Sequence, residues 1–129
     1  MQLLLPGMPM IYYGDEVGMD GGSDPDCRRG MLWDERRQDK ELFRYYQTLI
    51  QVRHAYPALT EGETVRQHAD DDKGIICMER TWKGQYIVLI FHTQEGHVEL
   101  QAPKGMKNLV SGREFTGSLG DYETAVLVK

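Results

Sequence analysis

The sequence predicts a mainly β chain. Residues 61–129 read as a small antiparallel sandwich, and residues 1–60 as one buried strand, a long loop and one helix. Short apolar runs separated by turn residues fill the second half. A single stretch of helical periodicity occupies 39–55. One apolar run near the start, Met8-Pro9-Met10-Ile11-Tyr12-Tyr13, contains no charged residue and no clean alternation. That last pattern is expected of a strand covered on both faces, as in a parallel sheet.

In that run Pro9 has to stand at the start, because proline donates nothing to a ladder, and Gly14 ends it. A loop of about two dozen residues follows, long enough in a compact domain to suggest a functional role. Asp39 suits an N-cap, since its carboxylate can accept from the free N–H groups of a first turn. Glu41 near the start and Arg53 and His54 near the end favour the helix dipole. Leu42, Tyr46, Leu49 and Ile50 form one apolar stripe with Phe43 beside it, and Pro57 stops the helix.

Two runs, Gly74 to Arg80 and Tyr86 to His92, flank the Gly-containing turn Trp82-Lys83-Gly84-Gln85 and predict a hairpin. Val98 to Gln101 alternates. Arg113-Glu114-Phe115 and Thr124 to Val128 complete the strands. Asp70-Asp71-Asp72-Lys73-Gly74 reads as a solvated turn. One strand and one helix make no sensible fold alone, so residues 1–60 are expected to be the last unit of a larger architecture.

The composition excludes several classes. The net charge is −5 and the basic residues are scattered, so no nucleic-acid surface is expected. No apolar run approaches the ~20 residues of a membrane span, and Met1 to Pro6 lacks the basic n-region of a signal peptide. Cys27 and Cys77 are expected to be free thiols in a cytoplasmic protein. His54, His68, His92 and His97 lack zinc-ligand spacing. The acidic stretch from Asp20 fails the calcium-loop pattern, with Gly22 at its third position and Met31 at its twelfth. No metal and no cofactor are expected.

The stretch Pro6 to Gly18 resembles the G-x-P-x-I-Y-Y-G-x-E motif of the α-amylase family, glycoside hydrolase family 13. Asp24-Pro25-Asp26-Cys27-Arg28-Arg29-Gly30-Met31-Leu32-Trp33 is similar to the D-P-D-C-R-x-x-M-x-W form of its neopullulanase, maltogenic amylase and cyclomaltodextrinase branch. The resemblance implies that residues 1–60 are strand 8, loop and helix 8 of a truncated (β/α)₈ barrel, and residues 61–129 the C-terminal β domain. It implies action on the α-glucosidic bonds of cyclodextrin, pullulan or starch oligosaccharides. It also implies that Asp24 and Arg28 touch an outer sugar subsite. The family's catalytic Asp, Glu and Asp lie on strands 4, 5 and 7, so no residue here is expected to be catalytic and the chain alone is expected to be inactive.

Asp15 and Glu16 are adjacent carboxylates at no catalytic position of the family, so a loop-anchoring role is expected. Trp33, Trp82 and Tyr86 are flat aromatics that suit sugar faces, and the last two support an alternative reading as a glucan-binding sandwich without hydrolysis. The expected partners are an α-glucan through the intact enzyme and the missing barrel. A second copy of the chain is a further expected partner, because Met8, Met10, Ile11 and Tyr12 would otherwise be exposed. On the same grounds residues 1–37 are expected to be poorly ordered or captured by a neighbour.

Overall fold

The structure, a computed structural model, describes residues 1–101 and 105–129. A five-stranded antiparallel sheet dominates it. The strands are β1 (Glu63–Asp70), β2 (Ile75–Trp82), β3 (Gln85–His92), β5 (Lys107–Asn108) and β7 (Thr124–Val128), in the order β1-β2-β3-β7-β5. A two-stranded ribbon, β4 (Val98–Glu99) with β6 (Ser118–Leu119), forms the second layer. The helix α1 (Lys40–Ala55) packs on the opposite face.

The strand β3 lies between β2 and β7 and is buried on both faces, which its unbroken apolar run requires. Ile87, Leu89 and Phe91 point to one side with Met78 and Val126, where Leu49 and Val52 of α1 and Leu3 and Leu4 cover them. Val88 and Ile90 point to the other side with Ala125 and Leu127, beneath Val98, Met106, Phe115 and Leu119. The period of two along one strand therefore feeds two separate cores. The hairpin turn before β3 has Lys83 at φ 44° and Gly84 at φ 88°. Two successive positive φ values match the twist of the flanking strands, which is why a two-residue turn suffices.

Asp39 caps α1 as expected, accepting from the N–H groups of Glu41 at 3.0 Å and Leu42 at 2.9 Å. The buried stripe lies further along than the one expected. Leu49, Val52 and Arg53 are buried, whereas Leu42 and Tyr46 are half-buried and Phe43 is exposed. Only the C-terminal half of the helix faces the sheet.

Three expectations are corrected. Residues 8–12 form no regular structure and Tyr13 lies in a turn; none of them pairs with a described strand, and Met8 is 94 % exposed. A parallel strand needs neighbours in its own sheet, and the described strands all lie in the antiparallel layers. Arg113 to Phe115 is not a strand but a bend, with a single bridge from Glu114 to Lys107. Residues 1–37 are not loose throughout. Leu3 and Leu4 are in the first core, and Val17 is buried with its carbonyl accepting from Asp39 N–H at 3.0 Å. That core also crosses the 60/61 boundary, joining Leu49 and Leu59 to the sheet.

Helix and sheet meet across a tight corner. Arg80, 3 % exposed, donates from Nε to Ala58 O at 3.1 Å, from Nη2 to Leu59 O at 3.4 Å and from Nη1 to Thr64 Oγ1 at 3.0 Å. Ala58 N–H donates to Gln85 Oε1 at 3.1 Å. At Gly62 the backbone runs so close that a Cβ would collide with Ala58 O and lie 2.7 Å from Thr81 O. Gly62→Ala is therefore expected to cost about 1–3 kcal/mol, as overpacking does, and to lower the urea midpoint with an unchanged m-value. Gly30→Ala, where a Cβ meets nothing within 4 Å, is the control and should leave the midpoint in place.

Candidate functional site

The loop between Gly14 and Asp39 is built from short 3₁₀ turns. Glu16 Oε2 accepts from Gly14 N–H at 2.9 Å, so one of the two adjacent carboxylates ties down the loop's own start. Tyr13 hydroxyl donates to Arg29 O at 2.8 Å and Gln38 Nε2 to Leu32 O at 2.7 Å, which fold the loop back on itself. A 3₁₀ turn at Asp26–Arg28 brings Asp24 and Arg28 together. Arg28 Nε stands 3.4 Å from Asp24 Oδ1, with both side chains about two-thirds or more exposed at 73 % and 66 %. This contact is single and wet, so it contributes little to stability. It leaves a carboxylate oxygen and the Nη groups free for other partners.

The same loop shapes a cleft of about 610 Å³ lined by Gly18, Met19, Asp20, Arg29, Trp33 and Arg37 among others; Asp24 and Arg28 do not line it. Trp33 is 80 % exposed there. Asp34 is held below the ordinary carboxylate range by its two-pronged hydrogen bonds from Arg36 Nε at 3.0 Å and Nη2 at 3.1 Å.

The other two candidates lie far from this loop in the fold, at the β2–β3 hairpin. Trp82 packs half-buried against the helix-side core, with Lys83 Nζ 5.1 Å from its ring centroid. Tyr86 pairs with Thr81, and Trp82 with Gln85, so alternation sends the two rings to opposite faces of the sheet. They do not form one platform. The Tyr86 hydroxyl donates to Glu79 Oε2 at 2.6 Å, while Arg66 Nη1 donates to Glu79 Oε1 at 3.1 Å.

Two arrangements escaped the sequence reading. His97, Glu99 and Ser118 converge on the β4–β6 ribbon, but Glu99 Oε1 at 2.8 Å and Ser118 Oγ at 3.0 Å both meet His97 Nε2. A base that relays a proton needs its acid on the other nitrogen, so this is not a hydrolytic triad. The second is Arg53, whose guanidinium turns inward to the backbone of residues 3–7. Its place four residues after Leu49, on the buried stripe, is the one sequence signal that marks it. Among the described residues no group of three or more His, Cys, Asp or Glu could hold a metal, and no helix is long and apolar enough to cross a membrane. Cys27 and Cys77 are free thiols, and burial pushes the Cys77 thiol up, with the nearby Glu79 carboxylate adding to it.

Hydrogen bonding to Glu79, followed by burial, pushes the Tyr86 phenol from 10.0 up to about 12. The raised value means the folded state holds the proton more tightly than the unfolded state. This contribution is complete below pH 10 and is lost as pH rises from there through about 12. The ultraviolet titration of the chain minus that of Tyr86→Phe should show this late ionisation, and Glu79→Ala should bring it back towards 10.

No family model matches the chain. Among curated proteins it is 38 % identical to neopullulanase 2 of Thermoactinomyces vulgaris over 95 % of its length and 22 % of that protein's. It is 37 % identical to a cyclomaltodextrinase of Geobacillus thermopakistaniensis over 88 % of its length and 20 % of the relative. An intracellular maltogenic amylase of Bacillus subtilis is 36 % identical over 71 % of the chain and 16 % of the relative. Among solved structures, the maltogenic amylase from S. marinus superposes with a TM-score of 0.86 at 25 % identity, over 98 % of this chain and 18 % of that one. The cyclic α-maltosyl-(1→6)-maltose hydrolase of Arthrobacter globiformis does so at 0.75 and 28 %, over 99 % and 28 %. The chain thus spans about a fifth of the length of these curated relatives. By its motifs, its sequence relatives and its fold, the chain belongs to the α-amylase family of glycoside hydrolases, in the branch of the neopullulanases, cyclomaltodextrinases and maltogenic amylases.

Proposed function

We propose that this chain serves an enzyme that hydrolyses α-glucosidic bonds in cyclodextrin, pullulan or starch oligosaccharides, supplying an outer sugar contact and a stabilising β domain. The observation that carries the reading is the Asp24–Arg28 pair, side by side on an exposed loop. A carboxylate accepts and a guanidinium donates, so the two together suit the neighbouring hydroxyls of one glucose ring. Cleavage by a retaining glycosidase needs a nucleophile and an acid/base about 5 Å apart. This reading assigns both to the barrel strands that the family places earlier, and none to this chain. Residues 1–60 then close the barrel and residues 61–129 form the β domain behind it. A cytoplasmic setting is part of the proposal, supported by the intracellular maltogenic amylase among the relatives.

An outer contact is felt only by substrates long enough to reach it. In the full-length enzyme, Asp24→Ala or Arg28→Ala is expected to lower kcat/KM for long maltooligosaccharides by roughly tenfold, the scale of a lost charged hydrogen bond. Maltotriose should be nearly unaffected. Equal losses at every chain length would reject the assignment. Sugar binding by the sheet would instead have to use Trp82 or Tyr86 singly, and tryptophan fluorescence with β-cyclodextrin separates that alternative.

The same reading gives an occupant to the exposed side chains of residues 8–13. Met8, Met10 and Tyr12 would face the neighbouring barrel, and in the isolated chain a second copy would take that place. Sedimentation of the chain is expected to give a dimer, and Met8→Asp with Met10→Asp a monomer.

A further inference from the structure

Arg53 is 8 % exposed and lies in the last turn of α1. Its Nη1 donates to Leu3 O and to Leu5 O, each at 3.0 Å, and its Nη2 to Gly7 O at 2.6 Å. Three alternate carbonyls of one turning stretch thus converge on one planar group. No ion pair of Arg53 occurs among the described residues, so these carbonyls carry the whole satisfaction of a buried charge. At the opposite end of the helix, about 24 Å away for its 16 residues, Asp39 N–H holds Val17 O at 3.0 Å. The chain from Gly7 to Val17 therefore runs back along α1 between two clamps. Residues 8–13 between them have no strand partner among the described residues. Their alignment depends on their ends.

We infer that Arg53 is a positioning residue, which presets residues 8–13 and through them the loop that carries Asp24, Arg28 and Trp33. The inference rests on the proposed sugar contact for its purpose, but its geometry does not. The guanidinium fork fits the three carbonyls, and a lysine ammonium, a point charge on a flexible stem, cannot span them. A residue that merely filled space would be replaced by methionine or lysine, whose apolar stems occupy the same channel.

Hydrogen exchange of the full chain tests this with Arg53→Lys and Arg53→Met. Amides in residues 3–13 should exchange at least about tenfold faster in both variants, with β2, β3 and β7 unchanged. A second readout follows Trp33 anisotropy in a Trp82→Phe background, where both variants should lower it. Unchanged exchange at residues 3–13 in both variants would overturn the inference. So would equal loss of protection across the sheet, or failure of both variants to fold, because Arg53 would then hold the whole structure. Unchanged Trp33 anisotropy with faster exchange at 3–13 would overturn the link to the loop. None of these readouts uses sugar. Indifference of long glucans to Asp24→Ala would therefore reject the proposed contact while leaving the Arg53 result standing.

Discussion

Two buried arginines without a carboxylate partner set the terms for the rest of the structure. A guanidinium stays protonated, so it must be satisfied where it lies. Burial, and then the charge of nearby Arg53, pull the Arg80 guanidinium below its ordinary value, yet both groups point inward. Backbone carbonyls are the only dense supply of acceptors available there, and they are free where helices end. Arg80 takes the carbonyls of Ala58 and Leu59 at the 3₁₀ turn Pro57–Leu59, and Arg53 takes those of residues 3–7. The position of each segment follows from this need. Helix, turn and N-terminal stretch are brought to one side of the sheet, and the close approach at Gly62 is its consequence.

The sheet answers a different constraint. Its middle strand is apolar on both sides, so it cannot face water on either. The helix and Leu3–Leu4 cover one face, and the β4–β6 ribbon with Met106 and Phe115 covers the other. The edge strand β1 is exposed along nearly its whole length. A register shift between Thr64 and Arg66 leaves Val65 out of step, and charged Glu63, Arg66 and Asp70 line the rest. A bulge and edge charges discourage pairing with another chain. The open segment at residues 8–13 has no such protection: Met8 and Met10 stand exposed where a guarded edge would carry charge.

That contrast explains what the sequence disclosed and what it did not. Residues 8–13 and 87–91 present nearly the same pattern, an apolar run without alternation, which suits a strand buried on both faces. For Ile87 to Phe91 this holds, because β2 and β7 lie within the chain. For Met8 to Tyr13 no described strand does, and periodicity describes a strand's appetite for partners, not their presence. The helix was legible from its cap and its proline stop. Its expected stripe holds at Tyr46, Leu49 and Ile50, but the buried face continues to Val52 and Arg53 and leaves Phe43 exposed. A charged residue is read as solvent-facing by default, which hid Arg53. Short ladders such as β4 and β5, two residues each, carry too few side chains to announce themselves.

The loop site was legible in a different way. Nothing in the spacing of Asp24 and Arg28 distinguishes a sugar contact from an ordinary surface pair; the proposed contact comes from the resemblance, and the 3₁₀ turn brings the two side chains together. The pair is too exposed to matter for folding. Its single 3.4 Å contact sets the long Arg28 side chain beside the short Asp24. The contact uses Arg28 Nε and one Asp24 oxygen, so the outer N–H groups and the second oxygen remain for hydroxyls. A weak ion pair on a loop held at Gly14 and Asp39 is thus a reasonable sugar contact because it is weak. A bidentate pair would engage both carboxylate oxygens and more of the guanidinium donors, leaving fewer for a sugar.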